Sequence, residues 1–125
     1  MFLDIGNQQR ISDPTMEQVG LSFSNLPADA PFVILDADTE HFIQAMPAGT
    51  AWRVEWRQEA EQRFMIVNLD DAEEAFAAFY RWDEAALTSF PWKRLTLWND
   101  PHRQRMFSAI TLVIVGLLSL WRALV

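Results

Sequence analysis

The segment 106–125, MFSAITLVIVGLLSLWRALV, carries a single charged side chain, Arg122, and no charge at all between Met106 and Trp121. Twenty helical residues at about 1.5 Å each reach about 30 Å, the thickness of the hydrocarbon core of a bilayer. Its few hydroxyl side chains can bond to the helix's own carbonyls, so lipid tolerates them. The segment therefore predicts a transmembrane anchor helix.

Two other structures are compatible with this segment. It could be the central helix of a soluble domain, buried on all sides, or a helix buried between the subunits of an oligomer. The flanking residues favour the membrane, because Trp121 is an interface residue by type and Arg122 can extend its guanidinium to the headgroups. Burial in an oligomer nevertheless stays open.

The distribution of basic residues predicts the orientation of such a span. Lys93, Arg94, Arg103 and Arg105 precede it, whereas Arg122 alone follows. The excess of basic residues on the N-terminal side predicts a single-pass, tail-anchored protein whose N-terminal domain lies in the cytoplasm. The first ten residues, MFLDIGNQQR, contain no basic and apolar leader of the secretory kind, which agrees with that orientation.

Charge divides the chain into two parts. Residues 1–101 hold all seventeen acidic residues and seven of the ten basic ones, a net charge of −10, while residues 102–125 carry +3. An acidic domain of this kind repels the phosphate backbone, which argues against a nucleic-acid partner. The chain has no cysteine, which excludes disulfides, thiol catalysis and cysteine-bound metal.

The pattern of residues 1–100 predicts an acidic α+β globular domain, followed by a short basic linker (101–105) and the anchor (106–125). We expect an antiparallel sheet of about five strands with two helices packed on it. The strand predictions rest on short β-rich runs: MFLDI, PFVILDAD, EHFIQAM, TAWRVEWRQE and QRFMIVNL, with PWKRLTLW as a candidate edge strand. The middle four runs predict a meander.

Two helices are predicted from capping residues and apolar spacing. The first would begin at Asp13 as its cap with Pro14 at its first position. The second would begin at Asp70 as its cap with Glu73 three residues on, and DEAALTSF would add one more turn. Its apolar stripe recurs at spacings of three and four and comprises Ala72, Ala75, Phe76, Phe79 and Tyr80.

One predicted strand alternates apolar and charged residues, which indicates a buried face and a charged face. The apolar set is Trp52, Val54 and Trp56. The charged set is Arg53, Glu55 and Arg57. A surface ladder of ion pairs explains the charged set more simply than a buried Glu55 does.

The anchor has one face rich in small residues. These residues cluster within one arc at 100° per residue: Ser108, Thr111, Gly116, Ser119 and Ala123. Small residues let helix backbones approach, so this face is a candidate contact with another membrane helix, including a second copy of this chain. A chance distribution of small residues is the alternative.

No set of residues suggests catalysis. His41 and His102 are the only imidazoles and have no metal spacing, and the glycines are too far apart for a phosphate loop. Asp36 to Asp38 with Glu40 falls short of a Ca²⁺ loop, which needs more ligands and a glycine turn. We therefore predict no enzyme activity, no cofactor and no metal.

The order of several short segments resembles a known family. These segments are ISDPTMEQV, FVILDAD, HFIQAM, WRVEWR, DDAEEAFAAFYRWDEA and FPWKRLTLW, over about residues 8–98. They resemble small bacterial Imm1-type immunity proteins, which are encoded beside polymorphic toxins. The resemblance implies an α+β domain that binds and blocks a toxin and performs no reaction. This chain differs by its apolar tail and by the absence of glycine near RWDEAA.

These observations predict a membrane-anchored binding protein that neutralises a cognate toxin through its acidic cytoplasmic domain. An acidic surface speeds encounter with a basic protein partner. The candidate contact residues are acids predicted to be exposed: Asp36, Asp38, Glu40, Glu59, Glu61 and Asp83. The alternative is a small structural subunit of a multi-protein membrane or defence complex, packed through the tail helix.

Overall fold

The structure, a computed structural model, describes residues 1–95. The chain divides after Arg94, and every element below belongs to the unit Met1–Arg94. The elements follow the chain in this order: β1 (Phe2–Ile5), β2 (Gln9–Ser12), α1 (Met16–Ser22), β3 (Val33–Asp38), β4 (His41–Ala48), β5 (Ala51–Gln58), β6 (Glu61–Val67), α2 (Leu69–Tyr80), α3 (Glu84–Thr88) and β7 (Lys93–Arg94). The α+β class and the antiparallel sheet are confirmed. The predicted numbers, about five strands and two helices, are too low.

The strands form one sheet in the order β2-β1-β3-β4-β5-β6-β7, with every neighbouring pair antiparallel. Strands β3 to β6 form the predicted meander. Its connections are tight: Gly49-Thr50 joins β4 to β5 and Glu59-Ala60 joins β5 to β6. Strand β7 pairs with β6 at only two positions, so it is a minimal form of the predicted edge strand.

Strand β2 escaped prediction because its sequence, QRIS, is short and polar and lies at a sheet edge. The turn before it depends on Gly6, whose φ is +58°. A Cβ atom at this position would lie 2.4 Å from Cγ of Pro27, so the hairpin requires glycine.

The three helices pack on one face of the sheet. Alternate strand residues face them and form the core, including Leu3, Val33, Leu35, Ile43, Val54 and Met65. Helix α2 contributes its predicted stripe: Ala72, Ala75 and Phe76 are fully buried, and Phe76 packs edge-on against Phe23 with ring centroids 4.9 Å apart.

The two helix starts differ from the predictions. Helix α1 is capped by Thr15, whose hydroxyl accepts a hydrogen bond from the Gln18 backbone N–H while the Gln18 side chain accepts one from the Thr15 N–H. This reciprocal capping box satisfies two backbone donors, which Asp13 with Pro14 cannot do. Helix α2 is capped by Asn68, whose Oδ1 accepts from the Asp71 N–H at 2.8 Å, so Asp70 lies inside the first turn.

The predicted ladder of exposed ion pairs on β5 is wrong. Arg53 and Glu55 are 7 % and 1 % exposed, on the sheet face opposite the three helices. Glu55 accepts a 2.8 Å hydrogen bond from the Gln62 side chain and lies 3.4 Å from Nε of Arg53. The Arg53 guanidinium in turn lies 4.3 Å from the ring centre of Phe64. Buried charges need such partners, and the strands beside β5 supply them.

Several predictions fall outside the described residues. They are the end of the acidic domain at residue 100, the linker 101–105, the anchor 106–125 and its face of Ser108, Thr111, Gly116, Ser119 and Ala123. Among residues 1–95, no helix combines the length and the hydrophobicity that crossing a bilayer requires.

Candidate functional site

Five of the six predicted contact acids lie at one end of the sheet. Asp38 and Glu40 flank the β3–β4 turn, and Glu59 and Glu61 flank the β5–β6 turn. Asp83 lies between α2 and α3, beside the same strand ends. All five are exposed. With Glu84, the residue after Asp83, they form a set that we call the acidic end.

The two turns are tied together by backbone and side-chain contacts. The backbone N–H of Glu59 donates to the carbonyl of Glu40 at 2.9 Å. Asp38 accepts from the Glu40 N–H at 2.8 Å and lies 2.9 Å from Nδ1 of His41. The contact with His41, and then that backbone bond, hold the pKa of the Asp38 carboxyl below its usual value. Asp38 therefore stays ionised at the surface.

Few basic side chains offset these carboxylates. Glu61 pairs with Arg63, and Arg57 donates its Nε–H to the Glu59 backbone carbonyl at 3.0 Å instead of to a carboxylate. Within residues 1–95, no lysine or arginine forms an ion pair with the other acids of this set, namely Glu40, Glu59, Asp83 and Glu84. The acidic end is thus a strongly negative, exposed surface.

A half-open groove lies beside the acidic end, between the β4 and β5 strands and the α2–α3 connection. Its buried floor is apolar and consists of Trp56, Phe79 and Leu87. Its rim is polar and aromatic and includes His41, Gln58, Trp82, Asp83 and Glu84. The Gln58 amide donates to Glu84 at 3.3 Å, so the strand side of the rim is connected to the helical side.

Trp82 is a site residue that the sequence did not single out. Helix α2 ends in a Schellman motif, in which the Trp82 N–H bonds to the Phe79 carbonyl and the Asp83 N–H bonds to the Ala78 carbonyl. Trp82 occupies the position with left-handed backbone, φ +57°, where glycine is usual. Its side chain is 66 % exposed and stacks on Phe79. The absence of glycine in RWDEAA was the sequence signal for this feature.

Asp36 does not belong to the acidic end. The prediction that it is exposed is wrong, because its residue is 7 % exposed. It lies on the helix-free face of the sheet with Asp4, and Arg10 contacts both carboxylates, at 3.6 Å from Asp36. Burial raises the pKa of Asp36 to about 6, although Arg10 acts in the opposite direction. Burial likewise raises the pKa of Asp4.

The described residues offer no set of side chains for a metal ion: in residues 1–95, no three histidine, aspartate or glutamate side chains come together in a suitable arrangement. His41 faces Asp38 and lines the groove. His102 lies outside the described residues. What the acidic end and its groove can do chemically is attract and bind a cationic surface.

Comparison with known proteins adds no assignment: the sequence matches no protein-family model, no curated protein and no solved structure.

Proposed function

We propose that this protein is a membrane-anchored immunity-type protein, which binds a basic toxin through the acidic end and performs no reaction. The acidic end carries the proposal. Three separate connections place exposed carboxylates side by side, and four of these have no lysine or arginine partner among residues 1–95. Such a surface is costly in self-repulsion unless a cationic partner covers it.

The acidic end would act mainly on the rate and selectivity of association. Charges at the rim of an interface accelerate encounter with an oppositely charged partner and disfavour acidic competitors. Because these carboxylates are exposed, salt should weaken the attraction over the Debye length of about 8 Å at physiological ionic strength. Residues 106–125 would hold the domain at the cytoplasmic face of a membrane, where the toxin must pass.

Affinity capture from the native host with the full-length chain tests this function. We compare the natural protein with a variant carrying Glu40→Gln, Glu59→Gln and Glu61→Gln. The matched control neutralises three exposed acids elsewhere, Glu17, Asp29 and Glu74. We expect a basic protein to be captured by the natural chain and the control, at low salt, and to be lost with the first variant.

The captured protein must also be toxic. Its expression alone should arrest growth, and co-expression of the natural chain, but not of the acidic-end variant, should restore growth. A stoichiometric membrane partner whose capture is indifferent to these substitutions would instead support a structural subunit that packs through the tail. Capture of no basic protein would refute the proposed function.

A further inference from the structure

The groove beside the acidic end combines an exposed aromatic ring with carboxylates. Trp82 presents an indole that is 66 % exposed, over a floor formed in part by Phe79. Asp83 and Glu84 follow it directly on the same rim. One oxygen of Asp83 accepts from the Ala86 N–H, which leaves its second oxygen for another donor. Neither acid has a lysine or arginine partner within residues 1–95.

The backbone at Trp82 indicates that the ring is held there for a reason other than folding. Left-handed backbone at a bulky residue costs about 1–2 kcal/mol, and such strain concentrates at functional sites. Glycine would close the same Schellman motif without that cost. The chain therefore retains an exposed, conformationally unfavourable indole directly beside two free carboxylates.

These features match one kind of side chain. A flat apolar ring and a carboxylate a residue away favour a cation with an apolar stem, because the stem packs on the ring and the charged group reaches the acid. Arginine fits better than lysine, since its planar guanidinium stacks on aromatic rings and forms bidentate bonds with carboxylates. Anionic ligands, including nucleic acid, are repelled by the same acids.

We propose that this groove receives an arginine side chain of the basic partner, stacked on Trp82 and paired with Asp83 or Glu84. The inference rests on the proposed function, because the acidic end would deliver the partner to the groove. It adds a specificity element that charge alone does not give: a preference for arginine over lysine.

The test uses the full-length chain in a nonionic detergent, with hexa-arginine and hexalysine peptides as probes at low ionic strength. Two-dimensional NMR follows the Trp82 indole N–H, and titration gives the dissociation constants. We expect hexa-arginine to shift this resonance and to bind more tightly than hexalysine. Trp82→Gly should weaken hexa-arginine binding by about 5- to 30-fold and bring the two peptides to similar affinity.

Two further variants separate the inference from the proposed function. The paired change Asp83→Asn and Glu84→Gln should weaken hexa-arginine binding, and Trp82→Asn should repeat the effect of Trp82→Gly with a residue that tolerates left-handed backbone. The triple change Glu40→Gln, Glu59→Gln and Glu61→Gln should weaken both peptides and leave their ratio unchanged.

The outcomes divide cleanly. If the triple change weakens both peptides while Trp82→Gly alters neither affinity nor the ratio, the arginine site is refuted and the acidic end survives. If Trp82→Gly abolishes the arginine preference while the triple change has no effect, the arginine site stands and the acidic end fails as the binding surface. If neither change matters, both are refuted.

Discussion

The side-chain amide of Gln62 donates a 2.8 Å hydrogen bond to the Glu55 carboxylate, between neighbouring strands in the middle of the sheet. Both side chains are buried, and Arg53 lies on the second oxygen of Glu55 at 3.4 Å. A buried carboxylate is stabilised only through such partners, so removing it leaves polar groups buried without their acceptor.

We therefore expect Glu55→Ala to lower the free energy of unfolding by about 3 kcal/mol, the usual cost of breaking a buried charged cluster. Glu55→Gln should cost less, because its amide oxygen still accepts from Gln62. Urea denaturation of the full-length chain measures both. The exposed change Glu74→Ala serves as control and should fall within about 0.5 kcal/mol of the natural chain. A cost for Glu55→Ala no larger than the control's would contradict the buried cluster.

Asp36 should make stability depend on pH. Its pKa is about 6 in the folded protein, and an unfolded aspartate titrates near its ordinary value of 3.8. Between these values the folded state holds a proton that the unfolded state has lost, so stability falls as pH rises from about 4 to 7.

Asp36→Asn removes this titration. We expect the variant to be more stable than the natural chain by roughly 1–2 kcal/mol at pH 7.5 and to lose that advantage near pH 4.5. Thermal melts at the two pH values measure the difference between the two chains, which cancels the titration of the other carboxylates. An advantage that is the same at both values would show that the Asp36 pKa is not raised.

The strained backbone at Trp82 predicts an unusual order of stability. Trp82→Gly and Trp82→Ala both remove the ring, but only glycine removes the strain at φ +57°. The glycine variant should therefore be the more stable by about 1 kcal/mol, or about 4–8 °C in melting temperature for a domain of this size.

Leu21 provides the matched control, since it is 55 % exposed and lies in helix α1 with ordinary helical backbone. There the order should reverse, with Leu21→Ala more stable than Leu21→Gly by about 1 kcal/mol. If alanine is also the better residue at position 82, the left-handed conformation of Trp82 is wrong.

Alternation and helical spacing were sufficient for the helix-facing side of the fold. The repeat of two in β5 correctly placed Val54 and Trp56 in the core, and the stripe of α2 placed Phe76 there. The same repeat could not reveal that Glu55 is buried, because alternation assigns residues to opposite faces of a sheet without saying whether each face meets water.

The candidate site was only partly accessible from the sequence. Acids in turns are exposed by default, which placed Glu40 and Glu59 correctly, but Asp36 follows an apolar run and stays within the strand. That the turns and the α2–α3 connection meet at one end depends on strand order, which local patterns do not encode. Trp82 was hidden because left-handed backbone at a helix end is normally recognised by its glycine.

The tail yields a prediction that rests on sequence alone. If residues 106–125 span a membrane, the full-length chain should remain in the membrane pellet after an alkaline carbonate wash. Val115→Arg, near the middle of this segment, should release a large share of the protein, because arginine at the centre of a span costs about 2.5–3.5 kcal/mol for insertion. Val115→Leu keeps the segment apolar and should behave as the natural chain. Release of the natural chain by the wash, or indifference to the arginine, would remove the anchor from the proposed function and leave the acidic domain as a binding module without it.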